Sequence, residues 1–162
     1  MATEDILILF AEVSVALGGF SGVVGVLGPR SFAQWSRDHR VLFANLIVGA
    51  FAALFWSIVP LILLNAGVDP ELTWILSSGL WVPFAVPANL VFWKLILVPG
   101  RSIPAGAIVQ TAALVVVVVL QIWNVVSLRA AWPFLVAISL MLASGATAFV
   151  LFVVTDSGSA SE

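Results

Sequence analysis

The sequence contains no cysteine and a single histidine, His39. Without thiols there is no disulfide and no thiolate nucleophile, and one histidine leaves too few ligands for a zinc site, a haem or an iron–sulfur cluster. Charge is equally scarce. Six Lys and Arg and eight Asp and Glu among 162 residues amount to 9% charged, against about 25% in a soluble domain. So few charges do not cover the surface of a water-soluble globule of this size. Six scattered bases and a net charge of −2 also exclude a phosphate-tracking surface, and with it nucleic acid as a partner. What the chain has in abundance is apolar residues, 62% of the total, with a mean hydropathy of +1.21. The lipid bilayer is therefore its first expected partner.

A membrane helix needs about 20 mostly apolar residues to cross the hydrocarbon core. Five stretches qualify, at residues 6–27, 41–64, 73–98, 104–128 and 132–154. The expected fold is all-α: one integral membrane bundle of five transmembrane helices in a single domain over 1–154. The Ser, Gly and acid tail at 155–162 reads as disordered. Glu4 and Asp5 precede the first stretch without a Lys or Arg, and its apolar run exceeds that of a cleaved leader, so it is expected to stay. The turn at 129–131 is so short that the last two helices must be antiparallel neighbours. Arg30, Arg37, Arg40, Lys94 and Arg101 fall on one side and only Arg129 on the other. Bases beside spans favour the cytoplasmic face, which predicts the N-terminus outside and the C-terminus inside. Trp35 and Trp93 then sit at the inner interface and Trp74, Trp123 and Trp132 at the outer one, with Trp56 and Trp81 in helix packing.

Glu12 is the one acid placed well inside a span, about 9 Å below the outer edge at 1.5 Å per residue. An ionisable group at that depth is costly unless paired, so it is a candidate ion or proton site. Lys94 is some 15 Å away along the membrane normal, too far for a salt bridge. Ser77, Ser78, Gln121, Asn124 and Ser139 share the depth of Glu12, and Gln121 and Asn124 lie three apart on one helical face. The alternative is a Glu that pins helices together. Ser14, Gly18, Gly22 and Gly25 form a small-residue stripe along the first span, suited to close packing or to a narrow pore. Pro83 and Pro87 interrupt the third span, with Asn89 just beyond; a kinked, partly unwound helix there would expose carbonyls, as in transporters, although proline also occurs in ordinary spans. Asn45, Asn89, Lys94 and Gln110 make a second polar level in the inner half, either a solvated vestibule or interhelical hydrogen bonds.

Between the first two spans, Phe32 and Trp35 suit a short interfacial helix, and Ser36 or Asp38 suits a helix cap. His39 beside Asp38 lacks the companions of an acyl or phosphoryl site. Arg37, Arg40, Lys94 and Arg101 read instead as inner-interface anchors for anionic lipid. No catalytic constellation, cofactor or metal site is visible, so the chain is not read as an enzyme.

Ala11, Glu12 and Val13, then Gly19, Phe20, Ser21, Gly22 and Val23, and then Trp35, Ser36, Asp38, His39 and Arg40 resemble a family of small bacterial multi-span membrane proteins with no established activity. The likeness continues through Pro60 and a Trp-led last span at Trp132. It implies a multi-pass protein of the bacterial inner membrane. The Gly-rich first helix with one acid is also similar to that of the Orai calcium channels, which have four spans. The functional expectation is a homo-oligomeric channel or transporter-like protein for protons or small cations, with the first span central and Glu12 near the outer mouth. The alternative is a non-conducting accessory or scaffold subunit of a larger membrane complex.

Overall fold

The computed structural model describes residues 2–27, 35–97 and 103–158. Five helices are long and apolar enough to cross a membrane: α1 (Thr3–Leu27), α2 (Arg37–Asn65), α3 (Pro70–Ile96), α4 (Ala105–Trp123, extended by a π turn at Asn124–Leu128) and α5 (Ala131–Gly158). Among the described residues there is no strand. The helix ends follow local chemistry. Ser36 caps α2, its Oγ accepting the His39 N–H at 3.2 Å. Gly67 takes a positive φ of 78°, the left-handed step that lets a chain leave a helix. Asp69 Oδ1 then accepts the Glu71 and Leu72 N–H groups at 2.9 and 3.3 Å, with Pro70 at the first helical position, where its missing N–H removes nothing.

Two expectations change. The interruption at Pro83 and Pro87 does not occur, because α3 is continuous from Pro70 to Ile96. A proline removes one rung of the ladder but its fixed φ remains helical, and Pro60 stands inside α2 in the same way. The last helix runs on to Gly158, into the stretch expected to be disordered, of which 159–162 lie outside the described residues. The first span, expected at the centre of an oligomer, lies at the edge of the protomer. It packs chiefly on α2 and α5, whereas α2, α3, α4 and α5 close a ring in which each touches the next.

The ring carries the core. Trp56, Trp74, Trp81, Ala85, Val117, Phe134, Ala137 and Ile138 pack together there. α2 and α5 approach closely: a Cβ built on Gly49 would stand 3.3 Å from the Met141 carbonyl and 3.5 Å from the Gly145 Cα. Outward-facing residues are apolar to a degree no water-soluble surface shows: Val126 is 70% exposed, Val109 68% and Val116 67%. Of the tryptophans, Trp56 and Trp81 are buried as expected and Trp123 and Trp132 are exposed. Trp35 and Trp74 are buried against neighbouring side chains. Trp35 meets Phe43 and Phe152 edge-on at 5.0 and 5.2 Å, and Trp74 meets Phe134 at 6.3 Å.

Candidate functional site

Two hydrogen bonds set the register between α3 and α4. Asn124 Nδ2 donates to Ser78 Oγ at 2.8 Å, and Trp93 Nε1 to Thr111 Oγ1 at 2.9 Å. Because the helices are antiparallel, Gln121 comes to the level of Trp81 and Gln110 to that of Phe92. Between α2 and α5, Asn45 Nδ2 donates to Ser144 Oγ at 3.3 Å, and Trp56 meets Phe134 at 6.3 Å. The ring interior is thus layered.

At the Arg37 end the ring opens into a crevice with contributions from all four helices. Its outer part, about 530 Å³, runs from Arg37 and Asp38 past Gly106 and Thr147 to Asn45, Gln110 and Ser144. Its deeper part, about 360 Å³, continues along Gly49, Asn89, Phe84, Leu114 and Met141 to Trp81. Asn45, Asn89 and Gln110, the inner polar level of the sequence reading, therefore converge on one cavity. Lys94 does not line it; it is exposed in the last turn of α3. Charge is confined to the mouth, where Arg37 donates to the Leu95 carbonyl at 3.0 Å and so binds the α3 C-terminus, whose dipole favours a cation. Arg40 is exposed nearby, and Arg101 lies outside the described residues. His39 has a structural role: its Nδ1 is 2.7 Å from Ser36 Oγ and its ring packs on Phe152 at 5.5 Å.

Beyond Trp81 the ring is closed and polar. Thr73, Ser77, Ser78, Gln121 and Asn124 are all fully buried, so four of the candidates the sequence nominated share this half. Asn124 fastens the turn between α4 and α5. Its Oδ1 accepts the Ala130 N–H at 2.9 Å while its Nδ2 donates to the Ala130 carbonyl at 3.0 Å, which holds the left-handed Arg129 (φ 49°) in place. Gln121 Nε2 donates to the Pro133 carbonyl at 2.7 Å.

Glu12 does not join them. It is exposed on the flank of α1 that also carries Ile8, Val15 and Gly19, while Leu7, Ser14 and Ser21 face the bundle. Ser139 is likewise exposed, its hydroxyl returned to the Leu135 carbonyl. The small-residue stripe divides for a geometric reason, since a four-residue step advances 40° around a helix of 3.6 residues per turn. Ser14 is buried and bonds the Phe10 carbonyl, and a Cβ on Gly18 would meet Ala50 at 4.0 Å, but Gly22 faces open space. Gly25 lies in the last turn of α1. The glycines that bring helices together are Gly49 and Gly145, which the sequence reading did not single out. Their signal is a glycine among small residues, beside Ala50, Ala52 and Ala53 in α2 and within the run Ala143, Ser144, Ala146, Thr147 and Ala148 in α5.

Fold and site together define a multi-pass helical membrane protein with a crevice among α2, α3, α4 and α5, flanked by the exposed Val48, Phe84 and Val91. No family model, curated protein or solved structure matches the chain.

Proposed function

We propose that this is a transporter-like membrane protein whose solute path runs inside the α2–α5 ring, entered at the Arg37 end and closed beyond Trp81. The observation that carries the reading is the crevice itself: four helices line it, its amides converge, and it stops at a packed layer. A one-sided cavity of this kind is what alternating access requires of either end state. The basic end faces the cytoplasm in this proposal, on the asymmetry of Lys and Arg, and the membrane is a bacterial inner membrane on the sequence resemblance.

The native absence of cysteine makes the test direct. Ser144→Cys and Gln121→Cys, each the only thiol in the protein, are treated with a membrane-impermeant thiol reagent from either side of sealed vesicles. Labelling of Ser144→Cys from the Arg37 side alone, with Gln121→Cys protected, is the expected result. A Ser144→Cys protein that labels from neither side has no open crevice, and the reading fails.

Exposure of Glu12 favours a second reading beside this one. A carboxyl on the outer flank of α1 faces lipid unless protein covers it, at about 3 kcal/mol or more, so a homo-oligomer or a partner subunit is proposed at that flank. A proton or cation path past Glu12 then runs between copies and not through one. Vesicle flux that vanishes in Glu12→Gln supports that path. Cation and proton flux unchanged by Glu12→Gln removes it, and a lone monomer in mild detergent removes the oligomer.

A further inference from the structure

We infer that the closed half of the ring holds a site for a small uncharged molecule bearing both hydrogen-bond donors and acceptors, and that the Trp81 layer separates this site from the crevice. The inference rests on the transport reading above and names the class of solute.

Among the described residues, five buried side-chain polar atoms have no hydrogen-bond partner: Trp56 Nε1, Thr73 Oγ1, Ser77 Oγ, Trp81 Nε1 and Gln121 Oε1. Their residues are nearly or fully buried, the most exposed being Trp74's neighbour in the core, Trp56, at 4%. They are not scattered. The register of α3 on α4, and the contact of Trp56 with Phe134 one residue from the Gln121 acceptor Pro133, bring Trp56, Trp81 and Gln121 to one level. Thr73, Ser77 and Trp81 are spaced four apart, so the two hydroxyls continue the same face of α3 toward the closed end. Orphaned polar atoms inside a membrane protein are strongly disfavoured, because no solvent reaches them. Trp56, Trp81 and Gln121 at one level and Ser77 one turn on, drawn from three helices, call for a common occupant; Thr73, about 12 Å from Trp81 along α3, lies beyond its reach.

The set also states what that occupant is. Two indole N–H groups donate, one amide oxygen accepts, and the Ser77 hydroxyl does both. No charged side chain of the ring helices α2, α3 and α4 stands at this level: α4 has none, those of α2 and α3 lie in their end turns, and Glu12, at the same depth, is on the outer flank of α1. An ion would lose its hydration there without a counter-charge, whereas a neutral carbonyl or hydroxyl compound finds matching groups. Trp56 is in ring contact with Phe84 at 5.7 Å and with Phe134 at 6.3 Å, which limits the occupant to a few heavy atoms. Urea and acetamide have the required size and both kinds of group. Gln110 and Asn45 offer the same amide chemistry at the crevice level, roughly 16 Å away along α4.

The test uses the intact protein in phospholipid vesicles, with swelling followed by light scattering under urea, acetamide, potassium chloride or pH gradients. Urea and acetamide are expected to enter faster than into protein-free vesicles, and potassium and protons are not. Trp81→Phe keeps the ring and deletes one donor; Ser77→Ala deletes one hydroxyl. Each should slow solute entry about fivefold, the worth of one hydrogen bond, with an unchanged elution profile as the folding control. Solute entry unaffected by both substitutions overturns the site. Potassium or proton flux without solute entry overturns the solute class and leaves the transport reading standing. Water movement alone has the first of these consequences, and no flux of any kind overturns both.

Discussion

Gly49 and Gly145 face each other across the α2–α5 contact, yet the geometry predicts unequal tolerance to substitution. A Cβ at Gly49 would lie 3.3 Å from the Met141 carbonyl and 3.5 Å from the backbone N and Cα of Gly145. Those atoms belong to a helix backbone and yield only if α5 shifts. A Cβ at Gly145 would meet the Leu46 carbonyl at 3.7 Å and the Ala50 N at 3.9 Å, ordinary van der Waals separations. Gly145→Ala should therefore be neutral or stabilising by up to about 1 kcal/mol through helix propensity. Gly49→Ala forfeits that gain to backbone crowding, and Gly49→Leu overpacks the contact at about 1–3 kcal/mol. For a chain of this length, 1 kcal/mol corresponds to roughly 2–4 °C in Tm by the scaling for soluble domains. Heating in mild detergent, followed by the recovery of monodisperse protein on size exclusion, ranks the variants. The order Gly145→Ala, Gly49→Ala, Gly49→Leu is expected. A Gly49→Leu protein as stable as the parent, or a Gly145→Ala protein less stable than Gly49→Ala, refutes the close-approach argument.

Asn124→Leu should be among the most damaging polar substitutions, because it strands the Ala130 N–H and carbonyl at about 1–3 kcal/mol for each buried group left unpaired; the same thermal assay checks it, with Ser78→Ala as the milder companion. Glu71→Gln should change stability by less than about 1 kcal/mol, since its 3.8 Å ion pair with Arg129 joins side chains 69% and 51% exposed. Arg129→Gly should hold or gain stability by about 1 kcal/mol, because glycine accepts the left-handed φ without a Cβ clash; a clear loss in Tm would assign the Arg129 side chain a role the turn does not explain. Trp93→Phe deletes the bond to Thr111 and should cost about 1 kcal/mol, read from the same melting curves.

Much of this architecture was legible because lipid imposes a simple rule: the backbone must satisfy itself, so apolar stretches of sufficient length become helices. The five spans, their breaks at Gly67 and Asp69, the tight turn before α5 and the inward Trp56 and Trp81 all follow from composition and local chemistry. The inner polar level was legible as well, since Asn45, Asn89 and Gln110 fall at one depth by counting residues. Depth, however, is only one coordinate. Glu12 shares a level with Gln121 and Asn124, but rotation about the helix axis and the choice of neighbours send it to the outside of α1, away from both.

By itself, then, the sequence determined the solvent, the number of helices and the height of each polar group along its helix, because hydropathy and a rise of 1.5 Å per residue are properties of the chain alone. Which helices touch was decided by the tertiary structure. In a bilayer, apolar surface gains little by leaving lipid for another helix, so association depends on shape and on pairing of polar groups. The backbone approach at Gly49 and Gly145 and the side-chain clamp of Asn124 on Ala130 are such local fits. The first brings α2 against α5 and the second fastens the turn between α4 and α5, while the ring stays open beside Arg37.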